Sequence, residues 1–157
     1  MPTFSPYDVE MAARIMLAFL LGALLGWERE RAGRPAGLRT FMMVTAGSAA
    51  YTVVSIYGFA DQGTVRDPAR VAAQIVTGIG FLGAGTIWRT PSTVRGLTTA
   101  ATIWFAAAVG MMAGSGLYLL GTVTAVGGFV CLQWLRSPSR RAEMRGEPSI
   151  TGRRVDE

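Results

Sequence analysis

The sequence has no histidine, no lysine and a single cysteine, Cys131. One cysteine cannot form a disulfide within the chain. Without histidine, His-based zinc sites and Ser-His-Asp catalysis are excluded. No nucleophile–base pair is visible, so no catalytic residue is assigned and an enzyme is not expected. Charge is scarce too, at 16% of residues against about a quarter in ordinary globular domains. Acid is scarcer still: no Asp or Glu lies between Asp67 and Glu143. Cys131 sits inside an apolar run and reads as a small packing residue.

What is abundant is uncharged, apolar sequence. Thr40 to Ala60 carries no charge, nor does Val71 to Trp88, and Gly96 to Leu135 is uncharged throughout. A span needs about 20 residues, so the last stretch, at roughly 40, should cross twice and reverse near Gly114-Ser115-Gly116. The expected fold is all-α, a polytopic membrane helix bundle over residues 1–135. Its five transmembrane helices are expected at about 10–27, 38–59, 70–88, 96–113 and 117–135. A disordered basic tail, 136–157, follows. The first run is short between Ile15 and Trp27, and Arg14 is expected to lengthen it by snorkelling to the interface. Asp8 and Glu10 stand where a secretory signal needs basic residues, and no small-residue cleavage site follows, so this run should stay as a helix.

All fifteen basic residues are arginine, and the net charge is +5. Residues 28–39 hold four of them, 89–95 two, and 136–157 six. With five spans these three segments share a side. The positive-inside rule makes that side the cytoplasm, with the N-terminus outside. Such clustering fits a lipid bilayer as the surrounding partner, with no nucleic acid bound. The basic start of the tail lies close to the headgroups.

Glycines punctuate the spans. Gly78-x-Gly80-x-x-Gly83 matches a dinucleotide fingerprint, but it lies within an apolar run and lacks the acidic residue about 20 positions on, so no nucleotide and no cofactor is expected. Close packing in lipid is the reading that remains. Gly22 and Gly26 form a small-x-x-x-small pair. At about 100° per residue, Gly78 and Gly85 share one line and Gly80 and Gly83 the opposite one. Helix three is therefore expected to be thin on two sides and sandwiched between neighbours; a helix broken around a site is the alternative. Such a bundle can bind a membrane-protein partner or copies of itself.

The polar residues near the spans form the candidate functional cluster: Glu28, Arg29, Arg39, Asp67, Arg70, Gln74, Arg95, Thr98 and Thr99. Asp67 is a good N-cap for helix three, Pro68 suits its first position, and Asp67 can pair with Arg70. Gln74 and Thr77 should face the bundle interior. The hydroxyls of Thr98, Thr99 and Thr102 can bond back to helix carbonyls or reach neighbouring helices. Glu30 and Arg31 read as part of a solvated loop. Glu28, Arg29, Arg39, Arg95, Thr98 and Thr99 are the set that could meet at the cytoplasmic boundary. Magnesium needs oxygen ligands, often carboxylates, and no acid falls at mid-membrane, so no metal site is assigned.

Several segments together resemble one family. They are Gly26-x-Glu28-Arg29-Glu30, Ala36-Gly37-Leu38-Arg39-Thr40, Asp67-Pro68-x-Arg70-Val71-Ala72-x-Gln74, Gly78-Ile79-Gly80-Phe81-Leu82-Gly83-Ala84-Gly85, Arg95-Gly96-Leu97-Thr98-Thr99-Ala100-Ala101-Thr102-Ile103-Trp104, and Gly110. In this order they are similar to the membrane-spanning region of the MgtC/SapB family, over roughly residues 10–135. The resemblance implies a small, multi-pass protein of the bacterial inner membrane. Some members are associated with growth under magnesium limitation and with survival inside phagocytes. It implies regulation of other membrane proteins, with transport of Mg²⁺ or an anion as the alternative. Many members carry a folded cytoplasmic domain after the spans, where a polar tail is expected here.

Overall fold

A computed structural model of the protein describes residues 6–58, 67 and 69–134. Pro68, the loop 60–66 and the tail 136–157 of the sequence reading lie outside the described residues. Five α-helices and one small hairpin make up the described chain: α1 (Pro6–Arg31), α2 (Leu38–Val53), α3 (Ala69–Ala84), β1 (Trp88–Thr90), β2 (Thr93–Arg95), α4 (Leu97–Gly114) and α5 (Tyr118–Trp134).

Each helix end has a local cause. In α1, Asp8 lies in the first turn and Arg29 and Arg31 in the last, each complementing the helix dipole. The helix stops at Gly33, whose φ of 63° is left-handed. There Gly33 N–H donates to the Glu30 carbonyl (2.9 Å) and Arg34 N–H to the Arg29 carbonyl (3.0 Å). This is a Schellman end, which satisfies carbonyls that would otherwise lack donors. Gly116, with φ 85°, ends α4 in the same way, through Gly116 to Ala113 (3.2 Å) and Leu117 to Met112 (2.9 Å). The reversal expected near Gly114-Ser115-Gly116 is this turn. Asp67 accepts the Ala69 N–H at 2.9 Å, as an N-cap does. α2 continues as a π-helical turn, Val54–Gly58.

Helix three ends at Ala84, short of the expected Trp88. Thr86 competes with the next helical turn, its hydroxyl donating to the Gly83 carbonyl at 2.8 Å. The expected loop at 89–95 is a hairpin instead: Trp88 pairs with Arg95, Arg89 with Val94, and Thr90 with Thr93. Pro91 presets the turn, and the flanking Thr and Val favour extended backbone. Gly96 closes the hairpin at φ 91°, and a Cβ there would collide with the Thr86 carbonyl.

Successive helices run in opposite directions. Gly22 of α1 faces Thr45 of α2, Gly110 of α4 also meets Thr45, Gly83 of α3 meets Ala100 of α4, and Trp27 of α1 stacks on Phe129 of α5 at 6.5 Å. The central unit is α1, α2 and α4; α5 packs on α1 and α4, and α3 lies mainly on α4 with a light contact to α2. The core between the central three is filled by Leu25, Phe41, Ala49, Ala106, Val109 and Ala113. Three helical segments are long and apolar enough to cross a membrane: Pro6–Arg31, Leu38–Gly58 and Leu97–Gly114. α3 and α5 are apolar but shorter, at 16 and 17 residues.

Candidate functional site

The site is organised by the buried stripe of α1: Arg14, Ala18, Leu21, Gly22, Leu25, Gly26, Glu28 and Arg29. Their spacing is that of one helix face. Apolar and small residues fill its middle, and ionisable groups stand at its two ends. Those ends are about 21 Å apart, at 1.5 Å per residue.

At one end, Arg29 is 3% exposed and donates through Nη2 to the Thr99 hydroxyl of α4 at 2.9 Å. Its Nη1 lies 3.9 Å from the carboxylate of Glu28, which is itself buried. The opposite charges sit side by side, and the hydrogen bond ties α1 to the start of α4. A charge-assisted hydrogen bond of this kind contributes about 1.5–3 kcal/mol. Gly26 lets α2 come close, since a Cβ there would stand 2.7 Å from Leu38 Cα. Glu30 adds a second tie: its carboxylate accepts the Leu38 N–H at 2.9 Å. Glu30 is exposed, as the sequence reading has it, but it lies in the last turn of α1 and not in a loop. The N-cap position of α2 is Gly37, which has no side chain to cap with, and Glu30 supplies the acceptor from α1. The Arg31 guanidinium lies over the Trp27 ring at 5.6 Å, also more than solvation.

Of the residues expected at this boundary, the structure joins Glu28, Arg29 and Thr99. Arg39, Arg95 and Thr98 are exposed. Thr98 contributes its carbonyl, which accepts the Thr102 hydroxyl at 2.6 Å.

The other end holds a cluster that sequence reasoning missed. Arg14 is 8% exposed, and does not snorkel outward as expected. Its guanidinium donates to the Tyr118 hydroxyl (3.1 Å), the Tyr57 hydroxyl (2.9 Å), the Gly114 carbonyl (3.1 Å) and the Glu10 carboxylate. Four separate segments thus converge on one side chain. Burial without these partners would be costly for a charge, which is why the arginine is held rather than released. The available signal was a lone arginine in an apolar run. Its tyrosine partners, 43 and 104 residues away, carried none.

Asp67, Arg70 and Gln74 lie toward this second end, remote from Glu28 and Arg29. All three are exposed, and among the described residues Asp67 and Arg70 form no ion pair. Gln74 does not face the bundle interior. With Arg70 it lines an open cleft of about 840 Å³ between α2 and α3.

The glycines divide into two groups. At Gly22 a Cβ would collide with Thr45 and approach the Phe41 carbonyl within 2.7 Å, so close contact with α2 depends on glycine. For α3 the expected sandwich is corrected. Gly78 and Gly80 have no neighbouring atom within 4 Å of an added Cβ, and Gly85 meets only carbonyls of its own helix. Gly83 alone of the four touches a neighbour, with an added Cβ 3.4 Å from the Ala100 carbonyl. α3 is backed by α4 on one side and open on the other. Among the described residues no group of three potential metal ligands comes together.

Comparison with known proteins gives a consistent result. The sequence model described as the MgtC family matches residues 15–141. The chain is 47% identical over 121 residues to YhiD of Escherichia coli, whose name marks it as a candidate magnesium transporter; the match covers 74% of this chain and 56% of that protein. It is 42% identical over 150 residues to Protein SrpB of Synechococcus elongatus, covering 83% of this chain and 82% of SrpB. It is 50% identical over 115 residues to Protein MgtC of Brucella abortus, covering 73% of this chain and 47% of that protein. The chain thus spans about half the length of two of these three relatives. No solved structure matches it.

Proposed function

The chain belongs to the MgtC family, and from that premise we propose that it is a multi-pass protein of the bacterial inner membrane that binds and regulates other membrane proteins. It is not an enzyme in this reading, and its link to growth at low magnesium runs through the partner. α3 and α5, though short, cross the membrane with the other three, at about 24–26 Å each against a hydrocarbon core of about 30 Å. The N-terminus is outside, and the Glu28–Arg29 end faces the cytoplasm.

The observation that carries this reading is the outward face of α3. Ala73, Thr77, Gly80 and Ala84, spaced by four, three and four, are all exposed. The Thr77 hydroxyl is satisfied by the Ala73 carbonyl at 3.0 Å. In lipid, helices associate where small residues let backbones approach closely, and this face has that character. The core of the central unit is filled by side chains, which supports binding over conduction.

A second reading, an ion carrier, is favoured by one observation: the buried carboxylate of Glu28 beside Arg29. The name of the YhiD relative points the same way.

The test is photo-crosslinking in intact inner membranes, with benzoyl-phenylalanine in place of Phe81, which is 81% exposed beside the α3 face. We expect a discrete adduct with another membrane protein or a second copy of the chain, lost in Gly80→Leu. No adduct from this position would overturn the docking face.

A further inference from the structure

The α2–α3 cleft shares Ala73 with the face just described but is otherwise lined by different residues of α3, and the proposed function does not use it. The two helices touch only lightly, and the cleft between them is open. Gly47 and Gly78 form part of its walls, and at both an added Cβ would meet nothing within 4 Å. This space is left by missing side chains.

Its lining is polarised along its length. Arg70 and Tyr51 stand toward the end of the bundle that holds Arg14. Gln74 follows one turn deeper, about 6 Å along α3. Beyond it the α3 lining is apolar apart from Gly78: Ile75, Ile79 and Leu82. From Gln74 to Leu82 is about 12 Å of helix, close to the half-thickness of a hydrocarbon core, about 15 Å. Among the described residues no carboxylate lines the cleft. Asp67, just before α3, has its carboxylate on the Ala69 N–H.

We propose that this cleft binds one anionic phospholipid from the outer leaflet. The phosphate pairs with the Arg70 guanidinium, the Gln74 amide donates to the ester carbonyls, and an acyl chain lies between α2 and α3 along Ile75, Ile79 and Leu82. Charge complementarity selects this occupant. A cationic fork at headgroup depth matches a phosphate diester, and the glycine-walled apolar part below matches a flexible chain. A packed helix would leave the Arg70 charge facing it without a matching anion. The proposal rests on the bundle lying in a membrane, not on what α3's outward face binds.

Native mass spectrometry of the delipidated full chain tests it, by titration with dioleoyl-phosphatidylglycerol and with dioleoyl-phosphatidylcholine. Wild type should bind the anionic lipid roughly tenfold more tightly, the value of one charge-assisted contact. Arg70→Gln should equalise the two lipids, and Arg70→Lys should restore part of the preference. Gly78→Leu, placed in open space where folding tolerates it, should weaken both lipids. Circular dichroism checks that each variant keeps its helix content. Equal binding by wild type, or an unchanged preference in Arg70→Gln, would overturn the proposal. So would a dimer, in place of lipid, that disappears in Gly78→Leu. Gly80 does not line the cleft, so loss of the crosslink in Gly80→Leu tests the docking face and failure of the lipid site leaves that reading separately testable.

Discussion

The glycines of α1 and α4 and those of α3 look alike in sequence and do different things. Gly22, Gly26, Gly110 and Gly114 lie where α2 presses against its neighbours, and an added Cβ at any of them would meet α2 backbone or Cβ atoms inside contact distance. Gly78 and Gly80 border open space. The first group fixes how closely the central three helices approach. The second leaves surface available to whatever surrounds the bundle. In water an exposed glycine in a helix interior costs about 1 kcal/mol relative to alanine, so open glycines in α3 call for something outside the chain to meet them.

Substitutions that swap these roles test the comparison. The largest effect is expected at Gly110→Leu, where the new side chain must displace the Thr45 carbonyl of α2. Backbone cannot yield as a side chain can, and a loss of about 3 kcal/mol or more should appear as a large fall in the thermal midpoint in detergent. Arg14→Met removes the charge at the centre of the tyrosine cluster and leaves its acceptors without their donor. A loss of about 3 kcal/mol is expected in the same melt, and a loss under ~1 kcal/mol would mean that the cluster is not held as described. Thr99→Val takes away the hydroxyl that Arg29 bonds, with an expected cost of about 2 kcal/mol. Arg29→Met combined with Thr99→Val should then cost less than the sum of the two single changes, which a double-mutant cycle would read. Smallest is Gly80→Leu, expected to stay within about 0.5 kcal/mol of wild type. A large destabilisation there would restore the sandwiched helix that the open geometry contradicts.

The helical class, the turn at Gly116 and the cap at Asp67 were legible because each follows from local chemistry. An uncharged run, a left-handed glycine and a carboxylate before a helix need no distant partner. The role of Gly78 and Gly80 was not legible. Angular spacing says which residues share a face, and in lipid the apolar pattern does not say whether that face meets protein or membrane. Arg29 was placed among the candidates by its position beside Trp27. It was set with Glu28, Arg39, Arg95, Thr98 and Thr99 as groups that could meet, and the fold pairs it with Thr99 and Glu28. Arg14 was read as snorkelling because the uncharged run beside it is short, and its partners Tyr57 and Tyr118 are remote in sequence. The hairpin at 88–95 was read as a loop because its strands are three residues each, too short for an alternating pattern to declare itself.

The central claim is that the bundle acts through the surfaces of its helices and not through a path between them. Flux of Mg²⁺ into sealed vesicles holding the full chain tests this most directly. The account predicts uptake no faster than in protein-free vesicles, for wild type and Glu28→Gln alike. Uptake by wild type that disappears in Glu28→Gln would contradict it and make the buried carboxylate part of an ion path.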